Sequence, residues 1–333
     1  MAGVAHDGPN VVAGLFHHVS GVGMPEAVAS ESVGASITTG LALFSMPAFG
    51  QGNGKLQIHY MDVGQGDGAV LISPKGQVVF FDNGVWGKCD KPMSYLSGLG
   101  IAQIDYVIIS HYHADHFGCT KEVLQQYPLK NFSYNRPGSY NSPQFTAYVK
   151  AGGSKRKSVT NTATITLDGD TGNPVKIKIA AYNGAGVQTD NENDRSVVAV
   201  VHFGNFDAMM AGDLSGYNLN EYQDVETTVS QKVGQVEVYK INHHGSRYSS
   251  NPTWLSKIKP RIAIISAGDG NSYRHPTTVC LSRLHSAGVE KTYWTERGAE
   301  AVPQAGVDIV ANSAIILQVA PAATEFTVTT ELT

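Results

Sequence analysis

The chain has 333 residues, 42% of them hydrophobic and 16% charged, which excludes a wholly disordered polypeptide and supplies ample material for a buried core. Its 24 basic and 28 acidic residues leave a net charge of -4, so affinity for a polyanion has to come from a local patch rather than from the whole molecule. No apolar run reaches the ~20 residues that a spanning helix requires, so no stable membrane span is expected in the mature chain.

In chain order, residues 1–50 read as a leader, rich in Ala, Gly, Ser and Val and without Lys or Arg. Its stretch ITTGLALFSMPAFGQ is similar to the apolar half of a secretory signal peptide that lacks the basic start. A plain flexible leader is the alternative, so the location read here is secreted or periplasmic, with cytoplasmic as the other reading. Residues 51–333 read as a single domain. LQIHYMDV alternates as a half-buried strand does, and GQGDG breaks it. AVLISP and GQVVFFDNG follow as a hairpin-like pair. IDYVIIS is short and nearly all apolar, the pattern of a strand covered on both faces, and it delivers HYHADH on a loop at its end.

CTKEVLQQY and the stretch from Leu214 to Lys232 read as helices, while VKIKIAAYN, SVVAVVHFG, FDAMMAGD, VEVYKINHHG and RIAIISAGD read as strands. The segment from Tyr134 to Thr162 is polar, rich in Gly, Ser and Asn, and centred on KAGGSKRK. It reads as a long loop over the site, a substrate lid in preference to a solvated insert. Its Lys155, Arg156 and Lys157 suit an anionic substrate, or are plain surface charge. IILQVAP and EFTVTT read as a terminal strand pair, and Cys280 lies in an apolar helical pattern that fits a buried packing residue.

HYHADH carries the chemistry. His111 and His113, two apart, project to one side of an extended loop, whereas Asp115 and His116 continue the turn toward a neighbouring position. One hexapeptide can thus feed two metal ions. Imidazole nitrogen with carboxylate oxygen suits zinc, with manganese or iron where oxygen donors increase. A dinuclear site also needs a bridging carboxylate and a closing ligand. Asp213 ends FDAMMAGD, and His243 and His244 end VEVYKINHHGS, where a Gly lets the chain turn sharply. Each alone reads as a turn or a packing residue. The order, one cluster and then single ligands that each end a strand, sets them apart.

SHYHADH, AGD and HHGS together resemble the metallo-β-lactamase superfamily. DVGQGD, FDNG, NENDRSVVAV, NHHGSRYSS and YRHP at Tyr273 to Pro276 resemble more narrowly the extracellular hydrolase domain of ComEC-type competence proteins. The similarity runs from Leu56 to about Thr330. It implies an α/β fold, a four-layer αββα sandwich with two divalent ions at one edge between its sheets. It implies His111 and His113 on the first ion, Asp115, His116 and His244 on the second, and Asp213 between them. His244 is preferred over His243 because the superfamily's last ligand directly precedes Gly, which leaves His243 to the substrate or to a supporting contact. Many members place a third histidine on the first ion where this chain has NENDRS. That ion is therefore open, water-filled, or held weakly by Asn193 or Asp194. Cys89 and Cys119 fall in loops that converge in this fold and would pair in an exported protein, with free thiols as the alternative.

Two such ions acidify water and clamp the attacking and leaving oxygens, so hydrolysis is the expected reaction. Asp115, His243 and His275 are the candidate catalytic residues, His275 as donor to a phosphate oxygen or leaving group or else as a structural histidine before Pro. Ser246, Arg247 and Asn271 are candidates for holding phosphate. Asp62, Gln65, Asp67 and Asp82 are candidates for orienting ligands or water, the first three or else mere turn formers. The resemblance implies phosphodiester hydrolysis, of single-stranded DNA or another anionic polymer such as a teichoic-acid-like one. The membrane channel that accompanies such domains is not in this sequence, which suggests a stand-alone nuclease or phosphodiesterase. Hydrolysis of a small lactam, lactone or amide and a non-catalytic binding module of the same fold are the alternatives. No partner protein is implied.

Overall fold

The computed structural model describes residues 31–32, 52–161, 163–321 and 325–330. The leader expected over 1–50 lies outside the described residues except for Glu31 and Ser32. In chain order the strands begin with β1 (Glu31–Ser32), β2 (Leu56–Tyr60), β3 (Gly68–Ile72), β4 (Val78–Asn83), β5 (Tyr106–Ile109), β6 (Ser133–Asn135) and β7 (Arg156–Ser158). They continue with β8 (Thr164–Leu167), β9 (Val175–Ala181), β10 (Val198–Phe203), β11 (Phe206–Met210), β12 (Gly216–Leu219) and β13 (Tyr222–Asp224). The last six are β14 (Val238–Lys240), β15 (Ile262–Ile265), β16 (Lys291–Trp294), β17 (Asp308–Val310), β18 (Ile315–Val319) and β19 (Phe326–Thr330). The helices are α1 (Asp90–Gly98), α2 (Thr120–Gln126), α3 (Pro143–Gly152), α4 (Val225–Val233), α5 (Pro252–Ile258) and α6 (Thr278–Ser286).

Two mixed sheets result, one in the order β1-β19-β18-β2-β3-β4-β5-β6-β7, the other β17-β16-β15-β14-β11-β10-β9-β8. Alternate residues of each, such as Leu56, Ile58 and Tyr60 from one and Ile177, Ile179 and Val201 from the other, meet in a shared core. The opposite face of the first sheet, with Val70, Phe80 and Val107, is covered by Leu96 of α1, Val123 of α2 and Tyr148 of α3. That of the second, with Val200, Met209 and Tyr239, is covered by Val229 of α4, Leu255 of α5 and Leu284 of α6. The layers are therefore helix, sheet, sheet, helix, as the sequence led us to expect. The α1 layer also corrects the half-buried reading of LQIHY. All five residues are buried, and His59 on the polar side meets the Tyr95 hydroxyl through Nδ1 at 2.8 Å.

Two further expectations fail. From Leu214 to Lys232 only Val225–Val233 is helical, and the residues before it form the β12–β13 hairpin. Asn220 sits at its tip with φ 57°, a left-handed conformation that Asn tolerates and a helix does not use. Asp224 then caps α4, its carboxylate accepting from Thr227 N at 3.0 Å. The segment from Tyr134 to Thr162 is likewise no loose lid. It folds as the end of β6, α3 and the edge strand β7, with Ser142 capping α3. Its basic run is spent on structure. Lys155 bonds the Leu129 carbonyl, the Arg156 guanidinium lies over Phe145 at 5.2 Å, and Lys157 lies over Phe132 at 3.6 Å. The terminal pair β18–β19 forms as expected.

Candidate metal centre

The chain direction gathers the site. β4 runs parallel to β5 in one sheet, and β11 runs parallel to β14 and β14 to β15 in the other. Their carboxyl ends therefore open at one edge, the place where open α/β sheets bind ligands. The loop 111–116 follows β5, Asp213 follows β11, and the turn 242–245 follows β14. Bonds tie the three together: His243 N donates to Gly212 O at 3.0 Å, and the segment before β10 bridges the others, Val197 N donating to Ser110 O at 2.8 Å and Ser196 Oγ accepting from Asp213 N at 3.2 Å. At Gly212 φ is 48°, and a Cβ there would stand 2.5 Å from Ser110 Oγ, so only glycine lets the two sheets approach so closely. His243 and His244 are both left-handed, with φ 52° each. Two consecutive residues held in that region are a local strain that the surrounding bonds sustain.

Six of the predicted residues converge. Asp115, His116, Asp213 and His244 offer ligand atoms within 4.8 Å of one another, and so do His111, His113 and Asp213. Asp213 belongs to both groups. Its Oδ1 lies 3.1 Å from His116 Nε2 and 3.4 Å from His244 Nε2, which is in turn 3.4 Å from Asp115 Oδ2. His111 Nε2 and His113 Nδ1 face each other at 3.1 Å. His116 Nε2, His244 Nε2 and Asp213 Oδ1 are buried without a hydrogen-bond partner. Such atoms are costly to bury unless something binds them, and their identity suits a divalent cation. The donor set fits that group.

The surroundings aim these lone pairs inward. Asp82, left-handed with φ 50°, accepts from Ser110 N at 2.8 Å, Ser110 Oγ at 2.7 Å and His116 Nδ1 at 2.9 Å. Ser110 Oγ in turn accepts from His111 Nδ1 at 3.0 Å. The Ser266 carbonyl accepts from His244 Nδ1 at 2.9 Å. With a cation bound, Nδ1 of all three rings would keep its proton and Nε2 would be left as the ligand. Asp67 lies 3.2 Å from His244 Nδ1 and is held by the buried Lys240. Burial would empty His116 and His244 of charge, but Asp213 with Asp115 and Asp67 holds His116 well above the usual range. Asp213 and Asp67 hold His244 up to about 10. The carboxylates thus create a field that calls for positive charge.

Of the remaining candidates, His243 lies with Nε2 3.7 Å from Asp213 Oδ2, and its ring centroid is 5.4 Å from that of His275. Burial depresses His243 to about 4 and His275 to about 3, so both are neutral imidazoles, and each keeps a buried Nδ1 without a partner. Asn193 Nδ2 stands 3.4 Å from His243 Nε2, and its Oδ1 is buried and unbonded. Asp194 instead turns away to accept from Thr189 Oγ1 at 2.7 Å and Gln223 N at 2.9 Å. Asp67 and Asp82 lie where the sequence suggested. Asp62 does not, because it accepts from Gly64 N at 2.9 Å and pairs with Lys91 at 3.0 Å. Gln65 ties two loops through Gly268 N at 3.1 Å.

The phosphate candidates make local bonds. The Asn271 amide closes its own turn, donating to Gly268 O and accepting from His275 N. Ser246 Oγ is buried and accepts from Tyr248 N at 3.3 Å, and Arg247 reaches toward Glu300 at 4.0 Å. Sequence reasoning missed Ser110 and the Arg136–Glu192 pair. The Glu192 carboxylate accepts from Tyr112 N at 2.8 Å and so braces HYHADH from behind. The SHYHADH spelling held the one hint, a hydroxyl next to the first histidine.

Residues 68–269 match the family model described as the metallo-beta-lactamase superfamily. The chain belongs to that superfamily. Its members are metal-dependent hydrolases, and within the superfamily this chain is similar to ComE operon protein 3 of Bacillus subtilis, at 24% identity over 71% of this chain and 32% of that protein. It is also similar to Recombination protein 2 of Haemophilus influenzae, at 27% identity over 71% of this chain and 27% of that one, and to competence protein ComA of Neisseria gonorrhoeae, at 24% identity. The chain thus spans about three tenths of the length of these relatives. Among solved structures, the metallo-beta-lactamase fold protein YhfI from Bacillus subtilis shares 12% identity and a TM-score of 0.47 over 73% of this chain and 98% of that one.

Proposed function

We propose that the chain is a two-metal phosphodiesterase whose substrate is a phosphate polymer, single-stranded DNA first among them. The observation that carries the reading is the carboxylate of Asp213, buried and shared by two separate donor groups. Asp115, His116, His244 and Asp213 would hold one ion. His111, His113 and Asp213 would hold the other, with Asn193 Oδ1 as a weak third donor. Zinc suits this mixture of imidazole and carboxylate, with manganese or iron as the other choices. When bound, a pair of divalent ions acidifies water and neutralises charge on the attacking and leaving oxygens of an in-line displacement.

The chain's own groups supply the rest. Asp115 is the most solvent-open member of its group, its side chain 30% exposed, and is placed to accept the proton of an attacking water. As neutral imidazoles beside the cluster, His243 and His275 would hydrogen-bond a phosphate oxygen or the leaving group. Relatives named for competence and recombination fit a DNA strand as substrate. The Cys89–Cys119 bond, closed between α carbons 5.4 Å apart, supports export, because such bonds persist in oxidising compartments.

The reading is tested with purified protein loaded with zinc or manganese and offered bis-p-nitrophenyl phosphate, a DNA oligomer and nitrocefin. Cleavage of the diester and of the oligomer, abolished by a chelator, is expected. Turnover of nitrocefin without diester cleavage would overturn it. Export is checked by alkylating the denatured, unreduced protein from its native cells: one reactive thiol, Cys280, is expected, whereas three would place the chain in a reducing compartment.

A further inference from the structure

Three rings stand in a nearly parallel row from the centre to the solvent. His244 faces His275 with 6.1 Å between centroids and 25° between planes, and His275 faces Tyr273 at 5.9 Å and 23°. The row begins at a metal-ligand candidate and ends on a phenol ring that is 68% exposed. One face of Tyr273 is turned toward His275, and most of the ring is open to solvent. The turn that carries the ring is also well held. Asn271 closes the turn beneath it, donating from Nδ2 to Gly268 O at 2.8 Å and His275 O at 2.6 Å, while Arg274 N returns to Asn271 O at 3.1 Å.

The other large exposed aromatic among the described residues, Trp86 at 60%, stands on a loop whose N–H donates to Ala114 O at 2.8 Å, next to Asp115. The backbone at Trp86 and the ring of Tyr273 thus both adjoin the cluster. A ring left open to water beside a reaction centre is available to a substrate, and ligand sites are commonly lined by aromatic side chains.

We propose that Tyr273 is a stacking subsite for an unpaired nucleobase of the strand being cleaved. The inference rests on the phosphodiesterase reading, which puts a phosphate at the inner end of the row and leaves the attached nucleoside to continue it outward. Aromatic side chains grip single strands in this way because every base offers a π face. A glycerol-phosphate polymer has no such face. The subsite thus selects a nucleic acid over other phosphate polymers and an unpaired strand over a duplex, whose bases are already stacked on one another.

The test uses the metal-loaded full chain and fluorescence anisotropy with a labelled dT oligomer and an abasic oligomer of equal length, both carrying phosphorothioate linkages that resist cutting. Tyr273→Ala is expected to weaken binding of dT by roughly 5- to 100-fold and of the abasic strand by less than about twofold, with Tyr273→Trp restoring the dT affinity. Equal losses on both strands, no loss on dT, no rescue by Trp, or no binding of dT by the unaltered chain would each overturn the subsite. So would a glycerol-phosphate polymer that competes as well as dT. The underlying reading is judged separately: if the metal-loaded chain fails to cleave bis-p-nitrophenyl phosphate, that reading falls, whereas cleavage without the anisotropy pattern removes the subsite alone.

Discussion

Asp82 offers no atom to the two ligand groups, yet through Ser110 and His116 it fixes two of the imidazoles that do. Asp82→Asn preserves its left-handed backbone, which Asn adopts readily, and preserves one acceptor oxygen while removing the other. It is expected to weaken metal binding by roughly 10- to 100-fold with the fold intact. Competition with a chromophoric chelator measures this, and an unchanged affinity would show that the ring orientation is held elsewhere. The ligands themselves were legible in the sequence because few residue types can hold a cation, and their spacing in HYHADH has few other uses. Ser110, the Ser266 carbonyl and Asn193 were harder to read, since a hydroxyl, a backbone oxygen or an amide acquires its role only from what folds against it. Asn271 and Asp62 were hard to read for the same reason: their polar groups bond within the turns they close.

At the scale of elements, α4 anchors the turn that carries the closing histidine. Glu226, fully buried on α4, accepts from Asn242 Nδ2 at 2.8 Å and from Ser250 N and Asn251 N at 2.7 Å each. Glu226→Ala leaves three buried donors unmet and is expected to cost about 2–4 kcal/mol. Burial raises the Glu226 carboxyl from 4.5 to about 7 despite those donors. A carboxyl raised in the folded state contributes stability that is complete below its unfolded value and lost as pH climbs through the folded one. Relative to Glu226→Gln, the unaltered chain should therefore lose about 2–3 kcal/mol of stability between pH 5 and pH 8. Denaturant titrations of both proteins at the two pH values decide it, and a constant difference would contradict the buried, protonated carboxyl. The hairpin before α4 escaped the sequence reading, which ran one helix from Leu214 to Lys232 across Gly216, Asn218 and Asn220, residues that a helix does not favour. The α3–β7 unit escaped because its polar composition matches a loop, while cation–π contacts and a Ser142 cap hold it in place.

Across the whole molecule, the centre draws on both sheets, so metal binding and folding are coupled. Removing the ions from protein held at about a hundredfold excess over the dissociation constant should lower the melting temperature by about 5–10 °C; differential scanning calorimetry with and without chelator checks this. The layered architecture came from the resemblance carried by SHYHADH, AGD and HHGS, while the apolar patterns by themselves gave only strands with helices between them. The joining of the sheet ends was not readable, since it depends on Gly212 and on bonds between distant segments. The measurement that bears most directly on the account is the metal content of zinc-loaded, desalted protein, compared with Asp213→Ala of unchanged circular dichroism. The shared carboxylate requires about two ions per chain in the first and no more than one in the second, with hydrolysis lost; two ions retained without Asp213, or none bound with it, would contradict it.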